Sequence, residues 1–141
     1  MKNTVALKIK GKPIAKKRPR FARHGKFVRT YSDQETEEGR FLWEVRNQLD
    51  GHQIFNGALF LTARFFMPIP KSTSKKKRAM MLNDEIHHTK KPDVDNCIKF
   101  ICDCLNGVVY RDDSQIFSKH GIKRYSDEPR TEIEITQISE I

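Results

Sequence analysis

The chain has 141 residues, 27 of them lysine or arginine against 18 aspartate or glutamate, for a formal net charge of +9. That length makes one ordinary domain (1–141), and the charge points to polyanions, chiefly nucleic acid. No stretch approaches the roughly 20 apolar residues that span a bilayer, and three cysteines crowded between Cys97 and Cys104 suit free thiols in a reducing compartment, so a cytoplasmic protein with no membrane partner is expected.

Thr4 to Lys10 alternates, with Val5, Leu7 and Ile9 on one side and Ala6, Lys8 and Lys10 on the other. This predicts a half-buried strand rather than a signal peptide. Gly11 to Tyr31 follows with Lys12, Lys16, Lys17, Arg18, Arg20, Arg23, Lys26 and Arg29 and no acidic residue. Pro13 and Pro19 argue against a helix there, leaving a basic loop. Eleven lysines and arginines precede Asp33, the first acidic residue, which exceeds what solubility requires. Phe21, Phe27 and Tyr31 interleave with them, as on surfaces that hold phosphates and stack bases. Lys16, Lys17, Arg18, Arg20 and Arg23 are therefore candidate DNA contacts, set against the plainer reading of a solvated charge run.

Ser32 and Glu35 stand at capping-box spacing and open a helix to Leu49, with Phe41, Leu42, Val45 and Leu49 as its core face and Asp50-Gly51 as its stop. Gly57 to Met67 is rich in aromatic and branched residues and predicts a central strand, closed by Pro68 and Pro70. Lys71 to Leu82 predicts a short basic surface helix, whose Lys75 and Lys76 are further candidate DNA contacts. A third helix is expected over Val94 to Leu105, then strands over Val108 to Arg111, Gln115 to Tyr125 and Arg130 to Ile138. The sum is a single compact α+β domain, a mixed sheet packed with these helices.

The acidic residues around the third helix carry the chemistry. Pro92 disfavours helical geometry at Lys91, so the helix begins after it, with Asp93 as N-cap. At about 100° per residue, Val94, Ile98, Ile101, Cys102 and Leu105 share one face, while Asp95, Asn96, Lys99, Asp103 and Asn106 form a separate polar one. Asn106-Gly107 is a good stop, since glycine takes the left-handed conformation at little cost. Twelve helical residues advance about 18 Å, and six returning residues, Val108 to Asp113, cover about 20 Å as a strand. That path is expected to bring Asp112 and Asp113 back beside Asp93 and Asp95. Convergent carboxylates in a basic chain suit an all-oxygen site for Mg²⁺, with Mn²⁺ as substitute, and Lys99 one turn beyond Asp95 reaches the same phosphate. The plainer alternative makes Asp93 a cap, Asp95–Lys99 a surface ion pair and Asp112-Asp113 a turn.

The string Lys91-Pro92-Asp93-Val94-Asp95-Asn96, then Lys99, Asp103, Leu105-Asn106-Gly107 and Asp112-Asp113-Ser114-Gln115-Ile116, resembles the signature of the RusA-type Holliday junction resolvases. Lys12-Pro13 to Arg20 is similar to the basic, proline-containing stretch near that family's N-terminus. The resemblance implies a compact α/β subunit working as a homodimer, an Mg²⁺-dependent endodeoxyribonuclease acting on four-way DNA, and no nucleotide cofactor. It implies Asp93, Asp95 and Asp113 as the essential carboxylates, Asp112 adjacent, and Lys99 in a catalytic or phosphate-contacting role. Two strands cut at symmetric positions call for two sites related by a two-fold axis, which a symmetric dimer supplies.

Other chemistries fit less well. Cys97, Cys102 and Cys104 with His87 and His88 lack a zinc-knuckle spacing, and small buried hydrophobes account for the cysteines better. His24, His52 and His120 have no serine or cysteine partner at recognisable spacing. The rivals left open are a less selective nuclease of branched or duplex DNA, and a non-enzymatic nucleic-acid-binding protein whose aspartates are caps and turns.

Overall fold

The computed structural model describes residues 3–17, 20–25, 27–31 and 34–139, with backbone alone for residues 20–24 and 27–31. Its elements in chain order are β1 (Thr4–Lys10), β2 (Arg20–His24), β3 (Phe27–Tyr31), α1 (Glu35–Leu49), β4 (Leu59–Pro68), α2 (Lys75–Leu82), α3 (Val94–Leu105), β5 (Ile116–Ser126) and β6 (Arg130–Gln137). Four strands form one mixed sheet in the order β1-β6-β4-β5. β4 pairs parallel with β5 and antiparallel with β6, and β6 pairs antiparallel with β1.

Period-two alternation builds the core. Val5, Leu7 and Ile9 of β1, Leu59 to Met67 at odd positions of β4, and Ile133 and Ile135 of β6 all point to one face and are buried. On that face lie α1, through Phe41 and Val45, and α3, through Cys97, Ile98, Phe100, Ile101, Cys102, Cys104 and Leu105. The Phe41 and Phe100 rings meet edge to face, centroids 5.5 Å apart, and join the two helices over the sheet. α3 rests directly on β5. A Cβ added at Gly121 would stand 2.5 Å from Ile98 Cδ1 and 2.9 Å from Val94 Cγ2, so only glycine lets the helix approach this closely. By contrast α2 buries no residue.

Three expectations need correction. The basic stretch before α1 is not all loop: its second half is an antiparallel hairpin, β2 with β3, in which His24 pairs with Phe27 around Gly25. Gly25 has φ +60, the left-handed conformation that two-residue hairpin turns demand. The helix start is later than expected: α1 begins at Glu35 with Gln34 as its N-cap, whose side chain makes no capping bond, and Ser32 of the expected capping box lies outside the described residues. Finally, Val108 to Arg111 is a turn, not a strand. Val108 and Val109 both return their N–H groups to the Leu105 carbonyl, and Gly107 N–H donates to the Tyr110 carbonyl at 2.8 Å. Tyr110 is fully buried and its hydroxyl donates to the Cys102 carbonyl at 2.7 Å, so packing against α3 overrides the strand propensity of Val-Val-Tyr.

Candidate active site

α3 forms where the sequence predicts it because its signals are local. Asp93 is the N-cap, and its Oδ1 accepts the Asn96 N–H at 3.0 Å. Gly107 follows the last turn with φ +75. Asp95 and Lys99 sit exposed on the helix surface and form no ion pair with each other or with any other described residue. Asp103, on the same helix, is occupied: Lys16 Nζ lies 3.3 Å from its Oδ2 and 3.7 Å from Glu38.

The second aspartate pair is held at the other end of α3. Asn106, the C-cap, accepts the Asp113 N–H through its side-chain Oδ1 at 2.8 Å. Asp112 opens a short 3₁₀ turn and accepts the Ser114 N–H at 2.9 Å; hydrogen bonding from the Ser114 side chain, and then from its backbone, draws the Asp112 carboxyl below the usual range. Gln115 ties this turn down. Its Oε1 accepts the N–H groups of Arg111 and Asp112, and its Nε2 donates to the carbonyls of Phe55 and Gly57. Asp113 is half-buried and its carboxylate makes no hydrogen bond among the described residues.

With no return strand, Asp112 and Asp113 stay at the C-terminal end of the helix, and the expected convergence at its start does not form. Among the described residues no three His, Cys, Asp or Glu side chains gather as they would to enclose one ion. What the fold does build is a stripe. Counting about 100° per residue, Asp95, Lys99 and Asn106 fall within roughly 40° of one another, and Asn106 carries Asp113. A lysine thus stands between two carboxylates that have no internal partner.

The remaining candidates divide. Lys16 and Lys17 are engaged by acidic neighbours: the Lys16 ammonium pairs with Asp103 and Glu38 and its N–H donates to the Asn96 carbonyl, while Lys17, itself exposed, pairs with Glu37 at 3.4 Å. Arg18 lies outside the described residues, and the backbone places Arg20 and Arg23 in β2. Lys75 and Lys76 are exposed in the first turn of α2 and have no ion-pair partner among the described residues. Cys97, Cys102 and Cys104 are buried free thiols; desolvation pushes Cys97 up to about 11 and Cys104 up to about 12, the behaviour of small apolar residues rather than ligands. Sequence reasoning missed Lys123, whose ammonium grips the loop before Asp93; no local signal could have shown it, since it comes from β5.

The architecture is that of a small, basic α+β domain with one mixed four-stranded sheet. The sequence matches the family described as Endodeoxyribonuclease RusA over residues 10–136, and the chain belongs to that family. It is 34% identical over 134 residues to "Uncharacterized protein YqaN" of Bacillus subtilis (strain 168), covering 93% of this chain and 94% of that protein. The family is one of Holliday-junction-resolving endonucleases that generally depend on a divalent metal. No helix of the described residues is long and apolar enough to cross a membrane.

Proposed function

We propose that this protein is an Mg²⁺-dependent endodeoxyribonuclease that resolves four-way DNA junctions, working as a homodimer that nicks two strands symmetrically. The observation that carries this reading is the stripe of Asp95, Lys99 and Asp113, polar side chains left without internal partners while Asp103 on the same helix is paired. The donor set fits the ion. Mg²⁺ keeps several waters and takes one or two carboxylates plus substrate phosphates, so an open aspartate pair suits it better than a closed cage would.

Asp93, through the oxygen not used in capping, and Asp95 would hold the ion at the start of α3, and Asp113 with Asp112 beside it supplies carboxylates at the far end. A bound Mg²⁺ lowers the pKa of water and neutralises charge on the scissile phosphate. Lys99, between the two pairs, stabilises negative charge that develops on the phosphate oxygens. Lys75 and Lys76, with Lys16, Lys17, Arg18, Arg20 and Arg23, contact the DNA backbone without reading bases. A two-fold dimer matches the symmetry of the junction.

The test is incubation of purified protein with junction, fork and duplex DNA, with and without Mg²⁺. Junction-selective, Mg²⁺-dependent nicking is expected. Equal cutting of all three DNAs would make it a less selective nuclease, and binding without cutting would make it a DNA-binding protein.

A further inference from the structure

The segment between α2 and α3 has no regular structure over most of its length, yet it delivers Asp93 to its place. The second half of β5 holds it. Arg124 pairs with Asp84 through both guanidinium and carboxylate arms. Tyr125 meets His88 edge-on, ring centroids 5.1 Å apart. Just past the end of β5, Asp127 pairs with Arg78 and ties down α2, from which the segment leaves. Closest to the candidate site, Lys123 Nζ donates to the Lys90 carbonyl at 2.8 Å and the Pro92 carbonyl at 2.9 Å.

Lys123 differs from its neighbours in what it fixes. Pro92 is the residue before Asp93, so its carbonyl direction sets where the N-cap carboxylate points. Hydrogen bonds from an ammonium are roughly twice as strong as those between neutral groups, and two converge here. Two residues earlier on the same side of β5, Gly121 seats Val94 and Ile98 of α3. Strand and helix are therefore registered at Gly121, and the loop entering the helix is registered at Lys123. A lysine on an edge strand ordinarily serves as a solvated guard against pairing; this one is spent on two backbone carbonyls.

We propose that Lys123 is a positioning residue that orients Asp93 and Asp95 for DNA cleavage, an inference that rests on the nuclease reading above. Groups that hold a ligand's supporting shell typically cost 10- to 100-fold in activity when removed, and roughly that loss of single-turnover cleavage is expected for Lys123→Met. Junction affinity measured in EDTA should stay within about twofold, since Lys123 faces backbone carbonyls rather than phosphate. The Asn96 amide, bonded to Asp93 Oδ1, should exchange with solvent faster. Lys123→Arg, which keeps a cationic donor, should restore both cleavage and protection. If Lys123→Met fails to fold, Lys123→Gln carries the same comparison.

Wild-type cleavage by the methionine or glutamine variant overturns the proposal. So does a loss of cleavage matched by an equal loss of junction affinity and not rescued by arginine, which marks a purely structural staple. Failure of the nuclease reading looks different: the wild-type protein then cuts nothing with any divalent ion, or Asp95→Asn cuts normally. In that case unchanged Asn96 exchange in Lys123→Met still overturns the positioning role, and faster exchange supports it.

Discussion

The two ends of α3 each present a pair of aspartates, and each pair splits in the same way. Asp93 gives an oxygen to the Asn96 N–H and Asp112 gives one to the Ser114 N–H, so one member of each pair shapes the backbone. Asp95 and Asp113 give their carboxylates to no described residue. The difference teaches that caps and functional ligands need not be competing readings of an acidic motif. A carboxylate has two oxygens, and one residue of a pair can fix the chain while the other is left for a ligand.

The largest effect should fall on the unbonded members. Asp95→Asn and Asp113→Asn are each expected to reduce junction cleavage by about a thousandfold, because several kcal/mol of charge stabilisation are lost at roughly 1.4 kcal/mol per decade. Melting temperature should barely move, and junction affinity should hold or rise as negative charge facing phosphate is removed. If Asp112→Asn proved as damaging as Asp113→Asn, the division of labour at that end would be wrong.

The next test disturbs the seat that places α3 on β5. Gly121→Val forces a branched Cβ and its two methyl groups against Ile98 and Val94, and overpacking of this kind costs typically 1–3 kcal/mol, so about 2 kcal/mol of stability by urea unfolding is expected. Cleavage should fall further than the folded fraction explains, since the helix carrying Asp95 and Lys99 must shift. Activity that simply tracked folded protein would make the close approach a packing matter alone.

A third comparison separates the two uses of Asp93. Asparagine also caps helices well, so Asp93→Asn should leave stability nearly intact while impairing cleavage. Asp93→Ala should do both, losing about 1 kcal/mol of stability along with activity. If asparagine preserved full cleavage, Asp93 would be a cap only, and Asp95 would stand alone at that end.

Much of this arrangement is legible in the chain because it is local. Pro92, Asp93, the 3.6-residue period and Asn106-Gly107 fix both ends of α3, alternation marks β1, and aromatic and branched residues closed by prolines mark β4. The placement of Asp112 and Asp113 is not legible, because it hangs on Val108 to Arg111, where burial of Tyr110 under α3 makes a turn of a segment with strand propensity. The hairpin of β2 and β3 is hidden by its charges, although Gly25 marks its turn. The partners of Lys16, Lys17 and Lys123 lie on elements distant in sequence, so periodicity and spacing carry no trace of them.

The smallest effect expected concerns the two basic regions, which look alike in sequence and differ in the fold. Lys16 and Lys17 are held by Glu38, Asp103 and Glu37, whereas Lys75 and Lys76 project from the first turn of α2 with no such partner. Cations at a helix N-terminus oppose the helix dipole, so α2 carries them at a cost to its own stability. Removing one lysine that meets a phosphate lowers the slope of log K against log salt by about 0.9. A Lys75→Ala/Lys76→Ala double variant should therefore flatten the slope for junction binding by about 1.8 if both lysines meet phosphate. Lys16→Ala/Lys17→Ala should flatten it by less, because those ammonium groups must first leave carboxylates, and it also releases Asp103, Glu37 and Glu38 to repel the DNA. Its affinity loss should consequently persist at low salt, while that of the α2 variant shrinks. A full change of about 1.8 from the Lys16/Lys17 variant, with none from Lys75/Lys76, would reverse the assignment and put the DNA backbone along the N-terminal segment.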